Sequence, residues 1–308
     1  MPRQQFAVVC DCGLKTNSCQ SNFSHRVVRA SHGVYPVRVG NLQANVSPNR
    51  LRAFESFLGQ LQSAPAAVLA LDYDGTLAPF HPDRHQALPY PGVQPLLARI
   101  QAGTRTRLIF VSGRPAQEVR QLLSLTPAPE VWGAHGLQRL WPDGRLETLA
   151  LHPAEEQTLH EALAALQSQK TAATIEQKPG SVAAHWRGLP DAEIRSIQQA
   201  VRAAWLPLAA RLGPPLLEFD GGMELRSPQQ NKGRALRTIL GELPPQTPVA
   251  YLGDDTTDED AFLALRGHSP ALTVLVRPEW RTTHAQAWIR PPEELLGFLE
   301  AWLAHSRP

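Results

Sequence analysis

The run Val68-Leu69-Ala70-Leu71, followed at once by Asp72-Tyr73-Asp74-Gly75-Thr76-Leu77, constrains this chain more than any other stretch. This apolar run of β-type residues reads as a strand. Its C-terminal end delivers two carboxylates, one residue apart, onto a Gly-Thr turn, and strand ends of open α/β sheets are where ligands bind. Side chains two apart in a strand share a side. Asp72 and Asp74 are therefore expected to crowd one small volume, where their repulsion calls for a cation or a shared proton. A hard divalent metal with oxygen ligands is the simplest remedy, and the pair can then divide nucleophilic from acid-base work. Asp-x-Asp-Gly also occurs in ordinary turns, so the rest of the chain must decide. A calcium-binding loop is excluded, because the places that require Gly and Glu hold Leu77 and Asp83.

Further along, strand and helix patterns alternate. Pro48 opens a helix in the Asn49–Leu58 region, a Pro-rich loop runs from Phe80 to Pro91, and a helix is expected near Gly92–Gln101. A second apolar strand, Thr106–Val111, ends in Ser112-Gly113-Arg114-Pro115, with another helix following. This rhythm predicts an α/β fold with a doubly wound parallel sheet. It breaks from about Leu137, where short strands, a helix near Pro153–Gln169, a hairpin about Lys178-Pro179-Gly180, a helix from Asp191 and a strand near Leu216–Phe219 suggest an α+β insert. Alternation resumes with a helix from Asn231, the strand Pro248–Leu252, a helix after Asp258, a strand at Leu272–Val276 and a last helix from Pro292. The expected organisation is a poorly ordered leader over 1–46, a catalytic core over 47–147 and 223–308, and a cap domain over 148–222.

With 308 residues and 43% hydrophobic content the chain can bury a substantial core, and a net charge of +2 gives no footprint for nucleic acid. No unbroken apolar stretch reaches membrane-spanning length, and Met1–Gln20 lacks a signal-peptide core. A cytoplasmic enzyme, monomeric or weakly dimeric, is the expectation. Cys10, Cys12 and Cys19 could join His25 around zinc, but the one-residue gap between Cys10 and Cys12 departs from structural zinc spacing.

Four segments fall at strand ends or helix starts of the core: Asp72/Asp74, Ser112, Lys232, and Gly253-Asp254-Asp255-Thr256-Thr257-Asp258-Glu259-Asp260. Each alone has a plain structural explanation, such as a helix cap or an acidic helix start. In this order the set resembles the haloacid dehalogenase-like phosphatases, and the resemblance covers nearly everything after about residue 65. It implies a Rossmannoid core, an aspartyl-phosphate formed on Asp72, acid-base work by Asp74, and phosphoryl contacts from Ser112 and Lys232. It also implies Mg2+ held by Asp72, Asp74, Asp254 and Asp255, with Asp258 supporting the metal shell. Phosphoryl transfer suits such a set, because it relies on positioning and on positive charge around the moving group.

More specific motifs are Val111-Ser112-Gly113-Arg114, Gly133-Ala134-His135-Gly136, Glu176-Gln177-Lys178, Ser181-Val182-Ala183, His185-Trp186-Arg187 and Glu224-Leu225-Arg226. Through these the chain is similar to the trehalose-6-phosphate phosphatase family. The similarity implies a small-molecule substrate, trehalose 6-phosphate, touched by Arg114, His135, Lys178, His185, Arg187, Glu224 and Arg226. A sugar phosphate with many hydroxyls calls for such donors and acceptors with one aromatic surface. The chain departs from the family at Ala134, where a small polar residue is common, at Ser227, where Pro is common, and at Gly221 or Gly222, where a basic residue is frequent. A rival reading is a phosphatase acting on sucrose 6-phosphate or a mannosyl phosphate ester. A catalytically silent regulatory module would be expected to have lost Asp72, Asp74 or Lys232, all of which are present.

Overall fold

The computed structural model describes residues 48–308 except 82, 169–171, 214–215, 220 and 308, with side chains from residue 54 onward. The leader expected over 1–46 and the cysteine cluster lie outside the described residues. The chain runs α1 (Pro48–Ser63), β1 (Ala67–Leu71), α2 (Val93–Gly103), β2 (Thr106–Val111), α3 (Ala116–Leu123), β3 (Glu130–Gly133), β4 (Gln138–Leu140) and β5 (Leu146–Thr148). There follow α4 (Pro153–Gln167), β6 (Thr174–Lys178), β7 (Ser181–His185), α5 (Asp191–Leu212), β8 (Leu217–Phe219) and β9 (Gly222–Arg226). The last part is α6 (Lys232–Gly241), β10 (Val249–Gly253), α7 (Glu259–Ala264), β11 (Ala271–Val276), β12 (Ala287–Ile289) and α8 (Glu293–His305).

The larger sheet has the order β12-β11-β10-β1-β2-β3-β4-β5. It is parallel from β12 through β3 and antiparallel across β3-β4-β5. The fully apolar β1 is explained by burial on both sides. Leu69 and Leu71 face a cluster built with α1, α2, α3 and α8, whereas Val68 and Ala70 face one built with α6 and α7. Helix α1 presents Phe54, Phe57, Leu58 and Leu61 to the first cluster, and Phe54 and Phe57 meet Phe298 and Trp302 of α8 at 5.9 Å each. This i, i+3, i+4, i+7 spacing is the stripe that lets one helix face leave water.

The chain leaves β1 toward β2 on one side and returns to β10 on the other, so strand order reverses at β1. A crevice at the carboxyl end of β1 is the consequence of that reversal.

A second sheet, β6-β7-β9-β8, is antiparallel throughout. Val182, Ala184, Met223 and Leu225 of this sheet pack against Leu159, Ala162 and Leu166 of α4 and Ile197, Val201 and Trp205 of α5. Residues 223–226, grouped by sequence with the returning core, belong to this sheet. Met223 and Leu225 alternate with polar neighbours and find their apolar partners only on α4 and α5, which pulls the strand away from the core.

Candidate active site

At the end of β1 the backbone turns sharply. Asp72 still extends the ladder through its N–H to Leu252 O (2.9 Å), Tyr73 is driven into the core with its hydroxyl donating to Ala87 O (2.6 Å), and Gly75 takes a φ of 75°. A Cβ on Gly75 would stand 2.1 Å from Asp254 Oδ2, so glycine serves both the left-handed backbone and the approach of Asp254.

Lys232 opens α6, which lies close to α7 because Gly233 has no side chain; a Cβ there would sit 2.2 Å from Asp260 O. Its buried Nζ is 2.8 Å from Asp258 Oδ1 and 2.9 Å from Asp72 Oδ1. Asp258 also accepts from the Tyr251 hydroxyl (2.5 Å) and from the N–H groups of Asp254 (3.0 Å) and Asp255 (2.9 Å), which saturates its carboxylate. Asp72 is treated differently. It is 3% exposed, and its Oδ1 has Lys232 close by but no partner at a hydrogen-bonding angle.

Burial pushes Asp72 up to about 8, with Lys232 opposing and Asp258 and Asp74 reinforcing the rise. Burial, then Asp72, Asp258 and Asp255, pushes Asp254 well above the usual carboxylate range. Carboxylate oxygens of Asp72, Asp254 and Asp258 lie within 4.8 Å of one another. Two crowded carboxylates with unspent oxygens form a donor set that suits a hard divalent cation.

Ser112, on the end of β2, is buried and accepts the Arg114 N–H through Oγ at 3.1 Å. Next to it, Ala134, His135 and Gly136 all have positive φ, at 49°, 52° and 93°. Non-glycine residues held there cost about 1–3 kcal/mol each and mark places where the surroundings dictate the backbone. Gly113 makes room for the His135 ring, since a Cβ there would be 2.6 Å from Nε2. Burial, and then the charges of Lys232, Arg226 and Lys178, hold His135 well below the ordinary imidazole range, so it is neutral. Its buried Nδ1 has no partner among the described residues.

The cap sheet turns its other face to this crevice. Strand register places Glu176 and Lys178 of β6, Ser181 and His185 of β7, and Glu224 and Arg226 of β9 on one side. Lys178 Nζ is 3.6 Å from carboxylate oxygens of both Glu176 and Glu224, Ser181 Oγ donates to Glu224 (2.6 Å), and His185 Nε2 is 2.9 Å from Glu176 Oε2. One Arg226 nitrogen, Nη1, is buried without a partner among the described residues.

A ladder of alternating charge joins this face to the core. Arg84 pairs with Glu176 on the cap and, at 2.8 Å, with Glu118 of α3; Glu118 also pairs with Arg114, four residues earlier. Arg114 in turn grips Asp74 with two nitrogens, both at 2.6 Å, and donates a third bond to Arg84 O at 2.5 Å.

The structure thus brings Asp72, Lys232, Asp254 and Asp258 together, with Ser112, Arg114 and His135 on the neighbouring loop. Two expected metal ligands stand apart from the acid cluster. The Asp74 carboxylate is turned to Arg114 because β1 ends at Leu71 and the period-two rule no longer applies. The Asp255 carboxylate caps the short helical turn at Thr256–Asp258 by accepting from Thr257 N. Arg114, expected on the substrate, spends its guanidinium on protein acceptors. Arg187 is exposed just beyond the end of β7, beside Gly221. Sequence reasoning did not place Arg84, Glu118 or Tyr251 in the site, and it singled out Glu176 only as part of the Glu176-Gln177-Lys178 motif, without a role. Glu118, on α3, lies four residues after Arg114, which precedes the helix.

A mainly parallel sheet whose order reverses at a strand-end aspartate, flanked by a buried lysine and two further acids, defines the haloacid dehalogenase-like fold. A phosphatase of the haloalkanoate (HAD) enzyme superfamily from Bacteroides thetaiotaomicron superposes with a TM-score of 0.55 at 13% identity, covering 78% of this chain and 95% of that one. A profile of the trehalose-phosphatase family matches residues 70–287, and the chain belongs to that family. A trehalose-phosphate phosphatase of Mycobacterium bovis is 30% identical over 250 residues, which is 77% of this chain and 61% of the relative. The chain therefore spans about three-fifths of that relative's length. The trehalose-6-phosphate phosphatase of Aspergillus fumigatus shares the fold, with a TM-score of 0.59 at 22% identity over 82% of this chain and 97% of that one.

Proposed function

We propose that the protein hydrolyses trehalose 6-phosphate to trehalose and phosphate, and that the four-stranded sheet with α4 and α5 acts as its cap. The observation that carries the chemistry is Asp72, a buried carboxylate with an oxygen left without a hydrogen bond between Lys232 and Asp254. Family membership carries the choice of sugar.

In this reading an Asp72 oxygen attacks phosphorus as the bond to the sugar oxygen breaks, and Asp74 gives that oxygen a proton. Water then attacks the aspartyl phosphate, Asp74 takes the water's proton, and phosphate leaves with Asp72 restored. Arg114 fixes the position of Asp74 through two parallel bonds. Lys232 and Ser112 stabilise and orient the phosphoryl oxygens, with Lys232 held in place by Asp258. Asp72 and Asp254 would hold Mg2+, with Asp258 within reach; when bound, the ion neutralises repulsion between Asp72 and the phosphate. Lys178, His185, Glu224, Arg226 and His135 would face the sugar. Among the described residues no helix is long and apolar enough to cross a membrane. We place the reaction in the cytoplasm, with the protein working as a monomer or weak dimer.

The test is phosphate release across a panel of sugar phosphates, with and without a chelator. Chelator-sensitive release that strongly favours trehalose 6-phosphate is expected. Comparable release from sucrose 6-phosphate would overturn the substrate, and undiminished release after chelation would overturn the metal.

A further inference from the structure

The polar face of the cap sheet is graded along its strands. In the register nearest the core, Ser181 pairs with Lys178 and Arg226; two residues on, Ala183 pairs with Glu176 and Glu224; two further on, His185 pairs with Thr174 and Gly222. Cations thus come first, carboxylates next and an aromatic ring last. The near end is fixed against the core, where Gln230 donates to Pro179 O at 2.6 Å and a Cβ on Gly180 would be 2.6 Å from Leu137.

At the far end, Phe219 of β8 pairs with Gly222 and shares this face. The parity is fixed by its neighbour Glu218, which pairs with Arg202 of α5 on the opposite side. The absence of a side chain at Gly222 is what lets Phe219 lie across β9. A Cβ there would be 2.1 Å from Phe219 Cζ, and the ring instead reaches His185, with centroids 5.5 Å apart and planes at 56°. His185 is held from its other side by Glu176. Phe219 nonetheless remains 37% exposed, a large apolar ring left in water.

We propose that Phe219, braced by His185, is a stacking platform for the sugar ring farther from the phosphate. This rests on the phosphatase reading above and assigns a subsite within it. Arg226 and Gly222 are four residues apart on one strand, about 13 Å at the usual rise per residue. A single phosphorylated ring anchored at the core does not cover that length, whereas two linked rings do. The carboxylates in the middle of the face suit the hydroxyls of the first ring. The C–H face of the second ring suits an aromatic surface, which offers contact area at little cost in side-chain freedom.

The experiment compares kcat/KM for trehalose 6-phosphate and glucose 6-phosphate in the wild-type protein, Phe219→Ala and Phe219→Tyr. The ratio of the two values isolates the second ring, because a general disturbance of the cap lowers both. Phe219→Ala is expected to lower the disaccharide-to-monosaccharide ratio about tenfold, the size of a well-formed aromatic contact. Phe219→Tyr, which keeps the ring, is expected to stay within about twofold of wild type in that ratio. An unchanged ratio in Phe219→Ala, or an equal fall in both variants, overturns the platform while leaving the phosphatase reading intact. A wild-type protein that does not hydrolyse the disaccharide ester overturns both, and shows this before any variant is made.

Discussion

Replacing Arg114 by Lys tests how Asp74 is positioned for proton transfer. The guanidinium holds Asp74 through two bonds of 2.6 Å, and a lysine ammonium keeps the charge but cannot reproduce the fork. Losing one bond to a charged partner is worth about 1.5–3 kcal/mol, which corresponds to a fall of roughly 10- to 100-fold in rate if it is felt wholly in the transition state. The loss should depend on the leaving group. A sugar alkoxide needs the proton from Asp74, whereas a nitrophenolate departs without one. The assay is kcat/KM for trehalose 6-phosphate and for an activated aryl phosphate, since this constant reports the steps up to departure of the alcohol. Arg114→Lys is expected to lose the full factor on the sugar ester and much less on the aryl ester, with kcat falling rather than KM rising. A rise in KM at constant kcat would instead make Arg114 a substrate ligand, and equal losses on both esters would refute the positioning role.

Glu176 lies at the other end of the same ladder. Burial raises its carboxyl, but the His185 bond and the charges of Lys178 and Arg84 outweigh this and bring it from 4.5 down to about 2. A depressed folded value contributes stability that is present above pH 4.5 and lost as pH falls toward 2. Thermal melts should therefore show Glu176→Gln below wild type at pH 6 and a gap that narrows by pH 3; a constant gap would contradict the ion-pair account. Trp205, fully buried between α4 and α5 and donating to Ala162 O at 3.0 Å, should cost about 3–5 kcal/mol on truncation to Ala. Chemical denaturation would show this, and a loss below about 1 kcal/mol would mean that the cap core repacks freely. Chelation should abolish phosphate release and Mg2+ should restore it, and recovery with monovalent salt alone would exclude a divalent site.

Much of the core was legible because its chemistry sits where chain direction is simple. Asp72, Ser112 and Asp254 each end an apolar strand, and Lys232 starts a helix, so local pattern alone brings them to one edge of a parallel sheet. The orientation of Asp74 was not legible, because the alternation rule assumes that the strand continues and here it ends at Leu71 with Tyr73 drawn into the core. The Arg84 ladder was hidden for a different reason. Its bonds join residues 34 and 92 positions apart, a distance over which sequence pattern carries no register. Strand β9 was not anticipated, and the cap boundary was drawn at residue 222, because a five-residue amphipathic run does not say which hydrophobic surface it will meet. The strain at Ala134 and His135 likewise arises from packing around a backbone that the residue types alone do not announce.

The central claim is that Asp72 becomes covalently phosphorylated. Rapid acid quenching of the protein mixed with substrate, followed by peptide mass mapping, tests it directly. The account expects the phosphoryl group on Asp72 alone, and none in Asp72→Asn. A phosphoryl group on another side chain, or full turnover by Asp72→Asn, would contradict it.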